Sequence, residues 1–116
     1  MSRLRADIWV AAYIRRCGSE GVPAMLRRRG SAEAGAIFIK VDLLDGTSVL
    51  YGPAPQSENP EAGVERLWQR IHKDATLDNI DAEARLKREI SFDHDLWIIE
   101  IEDCAGRHFL DLADAS

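Results

Sequence analysis

The sequence predicts an α+β domain: one antiparallel sheet of five or six strands, mostly connected by hairpins, packed with two helices that cover one of its faces. Three observations predict it. Residues 37–43 alternate apolar and polar ahead of an Asp-Gly pair, residues 96–102 alternate again, and two stretches, 4–17 and about 79–90, carry apolar residues at helical spacing.

Leu4, Ile8, Ala11, Ala12 and Ile14 define the first helix, and Gly18 stands where a C-terminal stop is expected. Arg15 and Arg16 then fall in its last turn, where the helix dipole favours a cation by ~0.3–1 kcal/mol each. Residues 24–29 are expected to be extended, up to Gly30. Ile37, Ile39, Val41 and Leu43 alternate with Phe38, Lys40 and Asp42, the pattern of a half-buried strand. A two-residue turn at Asp45 and Gly46 would set Leu44 opposite Thr47, Val41 opposite Leu50 and Ile39 opposite Gly52.

Residues 52–63, "GPAPQSENPEAG", hold all but one of the prolines and read as a long loop, functional or mobile. Residues 64–73 suit a helix or a strand. Asp78 or Asn79 is expected to cap the next helix, in which Glu83 with Lys87 and Arg85 with Glu89 stand four residues apart beside an apolar stripe of Ala82, Leu86 and Ile90. After "SFDHD" a strand follows, with Trp97, Ile99 and Ile101 on one face and Leu96, Ile98, Glu100 and Glu102 on the other. A turn at "DCAG" and a short strand at "RHFL" would close a second hairpin.

Length and composition frame these elements. With 116 residues, 46% apolar and 30% charged, residues 1–116 make a single globular domain able to bury a core of its own. Net charge is −5, unevenly spread: residues 1–30 carry +5, through Arg3, Arg5, Arg15, Arg16, Arg27, Arg28 and Arg29 against Asp7 and Glu20, and the remainder carries −10. That split marks a basic partner-binding face or two surfaces that attract one another. The longest uncharged apolar run, Ile8 to Ile14, is far short of the ~20 residues of a membrane span. Asp7 interrupts any signal-like start, and Cys17 and Cys104 make neither a zinc framework nor a required disulfide, so a cytoplasmic protein is expected.

Three stretches, "LRADIWVAAYIRRC", "GAIFIKVDLLDGTSVLYGPAPQ" and "FDHDLWIIEIEDCAGRHFL", together about half of the chain, resemble a small bacterial family of uncharacterised domains. The resemblance implies fold and kinship and carries no chemistry. In the family's pattern the position of His94 is similar to a proline, within Asp-Pro-Asp-Leu-Trp, and a proline is neither ligand nor base.

Candidate sites follow from residue chemistry. Asp93, Asp95, Glu100, Glu102 and Asp103 supply carboxylates, with His94 among them and His72 and His108 elsewhere, so segment 93–103 is the candidate for a metal-dependent hydrolase. Alternation on a strand would set His94 opposite to Asp93 and Asp95, and the bland reading makes these acids a polar connector in which Asp93 and Asp95 satisfy backbone groups between the core anchors Phe92 and Trp97. Arg27 and Arg29 would share one strand face and Arg28 the other, a candidate nucleic-acid surface, although the acidic balance and the lack of a stacking platform speak for pairing with the domain's own acids. Phe38 and Tyr51, with Val49, are expected to form an apolar patch on the outer side of the sheet. No nucleotide loop or nucleophile motif occurs, and no cofactor is called for. The leading expectation is a protein-interaction module, working on a protein partner or as a homodimer, rather than an enzyme.

Overall fold

The computed structural model describes residues 4–55 and 66–113. Over these the chain forms α1 (Ala6–Ser19), β1 (Ala24–Arg28), β2 (Ile37–Asp42), β3 (Thr47–Pro53), β4 (Trp68–Arg70), β5 (Leu77–Asp78), α2 (Asn79–Phe92) and β6 (Trp97–Glu102). The strands form one sheet in the order β1-β6-β2-β3-β4, with β5 also paired to β3.

The sheet is mixed. β6 runs antiparallel to β1 and parallel to β2, so the expectation of a purely antiparallel, hairpin-connected sheet is corrected. The reason lies in α2. β5 ends beside the start of β3, α2 carries the chain back along the sheet, and β6 therefore sets out in the direction of β2. The expected "RHFL" strand is also absent: residues 103–113 run irregularly, with an isolated bridge from Leu112 to Trp68. Their place beside β6 is taken by β1 and β2.

The two helices lie on opposite faces, where a single covered face was expected. Ala6, Val10, Tyr13 and Cys17 of α1 pack with Ile37, Ile39, Val41, Trp97, Ile99 and Ile101, whereas Ala82 and Leu86 of α2 pack with Phe38, Leu50, Leu96 and Ile98. β2 is therefore buried on both sides, as a central strand in a two-faced layer must be.

The β2–β3 hairpin closes one residue away from the expected register. Ile39 faces Tyr51 and Val41 faces Val49, around a three-residue loop, Leu44 to Gly46, inside the Leu43–Thr47 pair. Two carboxylates stabilise that longer loop: Asp42 accepts from the Leu44 N–H at 2.8 Å, and Asp45 accepts from the Thr47 N–H at 3.0 Å and from its hydroxyl. Because side chains alternate, the slip carries Tyr51 and Val49 to the opposite face.

The helices differ from expectation in their details. α1 passes Gly18 and stops instead at Gly21, whose φ of +77° lets the Val22 N–H reach back to the Cys17 carbonyl at 2.8 Å. Its sheet-facing side is not the Leu4–Ile8–Ala11 stripe but the next one round. Asp78 sits at the N-cap of α2 with no side-chain cap bond, because the Asn79 N–H is met by the Gly46 carbonyl and the Asn79 side chain by Ser48. Residues 68–70 of the ambiguous 64–73 stretch are a strand, and of the expected loop 52–63 only residues 52–55 are described, Gly52 and Pro53 closing β3. Residues 56–63 lie outside the described residues.

Residues 30–35 close on residues 95–96, backbone against backbone. A Cβ on Gly30 would lie 2.2 Å from the Asp95 carbonyl oxygen, and one on Gly35 2.4 Å from it, so both positions require glycine. In return the Ser31 N–H donates to the Asp95 carbonyl at 2.8 Å, and the Glu33 and Ala32 carbonyls accept the first free N–H groups of α1, those of Ala6 and Asp7.

Candidate functional site

The most elaborate polar constellation lies on the α2 face, at the junction of three strands and the helix. Lys40 projects from the centre of β2, Glu100 stands beside it on β6, Arg27 reaches in from β1, and Glu83 comes down from α2. Arg27 donates to both Glu83 oxygens at 2.7 Å and to Glu100 at 3.0 Å, and the Lys40 ammonium donates to Glu83 at 2.6 Å, with Glu100 at 3.9 Å. Two cations and two carboxylates balance. The Arg27 hydrogen bonds, then that of Lys40, hold the Glu83 carboxyl down to about 2, so it is ionised at any physiological pH and has no proton to exchange. The arrangement acts as a clamp between α2 and the sheet. Its sequence signal was the lysine set within the apolar run "IFIKV".

The basic run is divided among three separate partners. A register shift between Leu26 and Arg28 breaks the expected strict alternation. Arg27 joins the clamp, Arg28 donates to the His94 carbonyl at 2.7 Å, and Arg29 lies over the Trp97 ring at 5.4 Å. No common face of free guanidinium groups results.

The acids of segment 93–103 are dispersed in the same way. Asp93 accepts from the Asp95 N–H at 2.9 Å, a connector turn. Glu100 belongs to the clamp. Asp103 accepts from the Arg107 guanidinium and N–H, which lower its pKa, the side-chain bond most. Among the described residues, no three or more His, Cys, Asp and Glu side chains gather where they would hold a metal ion. Phe92, expected as a core anchor, is exposed because α2 ends there with this side chain turned away from the sheet, whereas Trp97 is fully buried.

The two other histidines named beside the acidic segment prove structural. The His72 Nε2 accepts from the Leu50 N–H at 3.0 Å while its Nδ1 faces the Asp74 carbonyl at 2.7 Å, so the neutral ring bridges β3 to the turn after β4. His108 accepts from the Leu110 N–H at Nδ1, its ring lies 4.8 Å from that of Tyr51, and its carbonyl takes the Tyr13 hydroxyl at 2.8 Å. Burial lowers the pKa of both imidazoles.

Phe38 and Tyr51 do not form the expected outer patch. Both are buried, Phe38 beneath α2 and Tyr51 on the α1 side, as the shifted register requires. The apolar surface that does remain outside lies on α1 and on Leu4 just before it. Ile8 is 49% exposed and Leu4 42%, with the exposed Ala11 and Arg15 continuing the line on the side opposite Val10 and Cys17. Half-buried Trp9 lies tilted against Trp68, ring centroids 5.0 Å apart, and the exposed Leu112 pairs with Trp68.

With this geometry in view, comparison with known families is decisive over nearly the whole chain: residues 4–111 match the model of a protein of unknown function, DUF1491. The chain belongs to the DUF1491 family. A crystal structure of a DUF1491 family protein from Caulobacter crescentus CB15 is 38% identical, covering 96% of this chain and 98% of that one, with a TM-score of 0.77. The solution structure of protein Atu0922 from A. tumefaciens is 37% identical over 98% of both chains, with a TM-score of 0.80. An NMR structure of a DUF1491 family protein from Caulobacter crescentus CB15 is 36% identical over 98% of this chain and 100% of that one, also at 0.80. No curated protein matches the chain significantly. No helix among the described residues is long and apolar enough to cross a membrane.

Proposed function

We propose that this DUF1491 domain is a protein-interaction module whose working surface is the outer side of α1, engaging a protein partner or a second copy of itself. One observation carries the reading: α1 has two apolar sides, and the sheet uses only one. Val10, Tyr13 and Cys17 go into the core, while Leu4, Ile8 and Ala11 remain in solvent on the other side. A contiguous apolar surface of this kind, with Trp9 and Leu112 at its flank, is what partner surfaces bury. Arg15, exposed at one end, favours an acidic contact on whatever binds, whereas Arg5 at the other is already paired with Asp7.

The test combines sedimentation velocity over a wide concentration range with affinity capture, using the wild-type chain and Ile8→Glu. A sedimentation coefficient that rises with concentration in the wild type alone supports self-association, and a specific protein lost from the variant supports a separate partner. A wild type that stays monomeric throughout, together with identical capture by both baits, refutes the reading.

A further inference from the structure

We propose that the groove between the segment after β4 and the outer side of α2 binds a small phosphate monoester. The groove is open to solvent, with a volume of about 480 Å³. Ile71 and Leu77 on one wall and Ala84 on the other give it an apolar floor, while Lys73, Arg85 and Arg88 supply cations from both walls. Asp81 is the single carboxylate of the lining, in a chain whose Asp and Glu outnumber its Lys and Arg by 20 to 15.

Three details turn this concavity into a site for a divalent anion. First, Asp81, Ala84, Arg85 and Arg88 stand at i, i+3, i+4 and i+7 of α2, so the helix presents them as one wall. Second, the wall is already fixed. Arg85 donates through Nε to Glu89 at 2.8 Å and through Nη1 to the Ile71 carbonyl, tying helix to segment across the groove, and the saturated His72 ring holds the same segment to β3. A ligand would meet a backbone wall already tied in place, and only the exposed Lys73 and Arg88 side chains would have to be ordered. Third, the Lys73 ammonium and the Arg88 guanidinium have no hydrogen-bond or ion-pair partner among the described residues, yet both border this one space. Three cations against the one carboxylate of Asp81 leave the lining with a net positive charge that an anion relieves. The planar fork of Arg88 suits two oxygens of a phosphate and Lys73 supplies a point charge opposite, while the floor takes a flat apolar body esterified to it. Nothing in the groove offers the aromatic stacking or extended basic track of a nucleic-acid surface.

The experiment is an NMR titration of the isotopically labelled full chain with phenyl phosphate at low ionic strength, with phenol as the uncharged control. The expected result is a set of amide shifts confined to residues 71–77 and 81–88, fitting a dissociation constant below about 1 mM, and no such shifts with phenol. Lys73→Ala combined with Arg88→Ala weakens that binding by at least about tenfold, and circular dichroism stays unchanged because neither side chain has a partner to lose among the described residues. The inference is overturned by shifts spread over unrelated cations such as Arg15, Arg29 and Lys87, by binding that survives the double substitution, by equal binding of phenol, or by no shift at about 10 mM ligand.

Discussion

Glu83→Gln isolates the contribution of the clamp on α2. The substitution keeps size and polarity but removes the charge that faces Arg27 at 2.7 Å and Lys40 at 2.6 Å. The carboxyl is held at about 2 against an ordinary 4.5, which at ~1.36 kcal/mol per unit bounds its contribution at about 3.4 kcal/mol. The Glu83 side chain is 42% exposed, so solvent screens the pair and about 2 kcal/mol is the expected loss. Lys40, by contrast, is 6% exposed, and Glu83→Gln leaves its ammonium buried with only Glu100 at 3.9 Å. Lys40→Met should therefore cost less, under about 1 kcal/mol, because it removes the buried charge and leaves Glu83 paired with Arg27 near solvent. Adding Lys40→Met to Glu83→Gln should restore most of what the first change lost. Urea unfolding measures all three, and with a slope of about 1.5 kcal/mol/M the Glu83→Gln midpoint should fall by about 1.3 M. The pH dependence supplies a sign: a depressed carboxyl contributes above its unfolded value and loses that contribution as pH falls from 4.5 toward 2, so the gap between wild type and Glu83→Gln should close over that window. A Glu83→Gln midpoint within experimental error of wild type, or a Lys40→Met loss larger than that of Glu83→Gln, would refute the clamp.

Other consequences can be checked on the same material. His72 and His108 have lowered pKa values in the folded chain, so protonation favours the unfolded state: their contribution is complete above about 6.5 and declines as pH falls below it, by up to ~1.4 kcal/mol per unit for each ring. Urea midpoints at pH 7.5, 6.5 and 5.5 should show the decline, and His72→Asn should make it shallower; equal slopes in the two proteins would sink the assignment. Leu44 is exposed at a φ of +64°, a conformation strained for a branched side chain, so Leu44→Gly should stabilise by about 1 kcal/mol and raise Tm by about 4 °C, and a lower Tm would contradict it. Gly30→Ala drives a methyl into the Asp95 carbonyl and should lower stability by about 2–4 kcal/mol, whereas Gly18→Ala, with open space around it, should not destabilise; a tolerated Gly30→Ala would mean the loop is free to move away.

How much of this was legible depends on which force set each feature. Local pattern sufficed for β2, β6 and α2, where Trp97, Ile99 and Ile101 on one face and Leu96 and Ile98 on the other were assigned from alternation alone and do face separate cores. Periodicity could not choose between two apolar sides of α1, because each satisfies helical spacing; the choice was made by tertiary contacts, with Tyr13 and Cys17 filling space against the sheet. The hairpin slip was set by the carboxylates of Asp42 and Asp45, which favour the three-residue loop over the Asp-Gly turn, and that single residue dissolved the Phe38–Tyr51 patch. The parallel pairing of β6 with β2 needed the path of α2, which no local signal contains. Among the candidate sites, the pairing of Arg27 with the domain's own acids was readable from charge balance, but Lys40 and Glu83 as its companions depend on contacts 43 or more residues apart.

The two proposals occupy different faces of the sheet. The α1 surface lies outside the core of Trp97, Ile99 and Ile101, and the groove lies on α2, beyond the core of Phe38, Leu50 and Ile98. A β-sheet with helices on both sides separates such surfaces by more than the ~7–10 Å within which substitutions couple. Ile8→Glu should then leave phenyl phosphate binding intact, and Lys73→Ala with Arg88→Ala should leave self-association intact. The clamp stands between them in effect. Because Lys40 rises from the strand that both cores share, Glu83→Gln loosens α2, which carries one wall of the groove, while α1 keeps its apolar attachment. Loss of ligand binding in Glu83→Gln with unchanged association would therefore be the signature of two surfaces joined through one sheet, of which the α2 side adds an ionic clamp to its apolar packing.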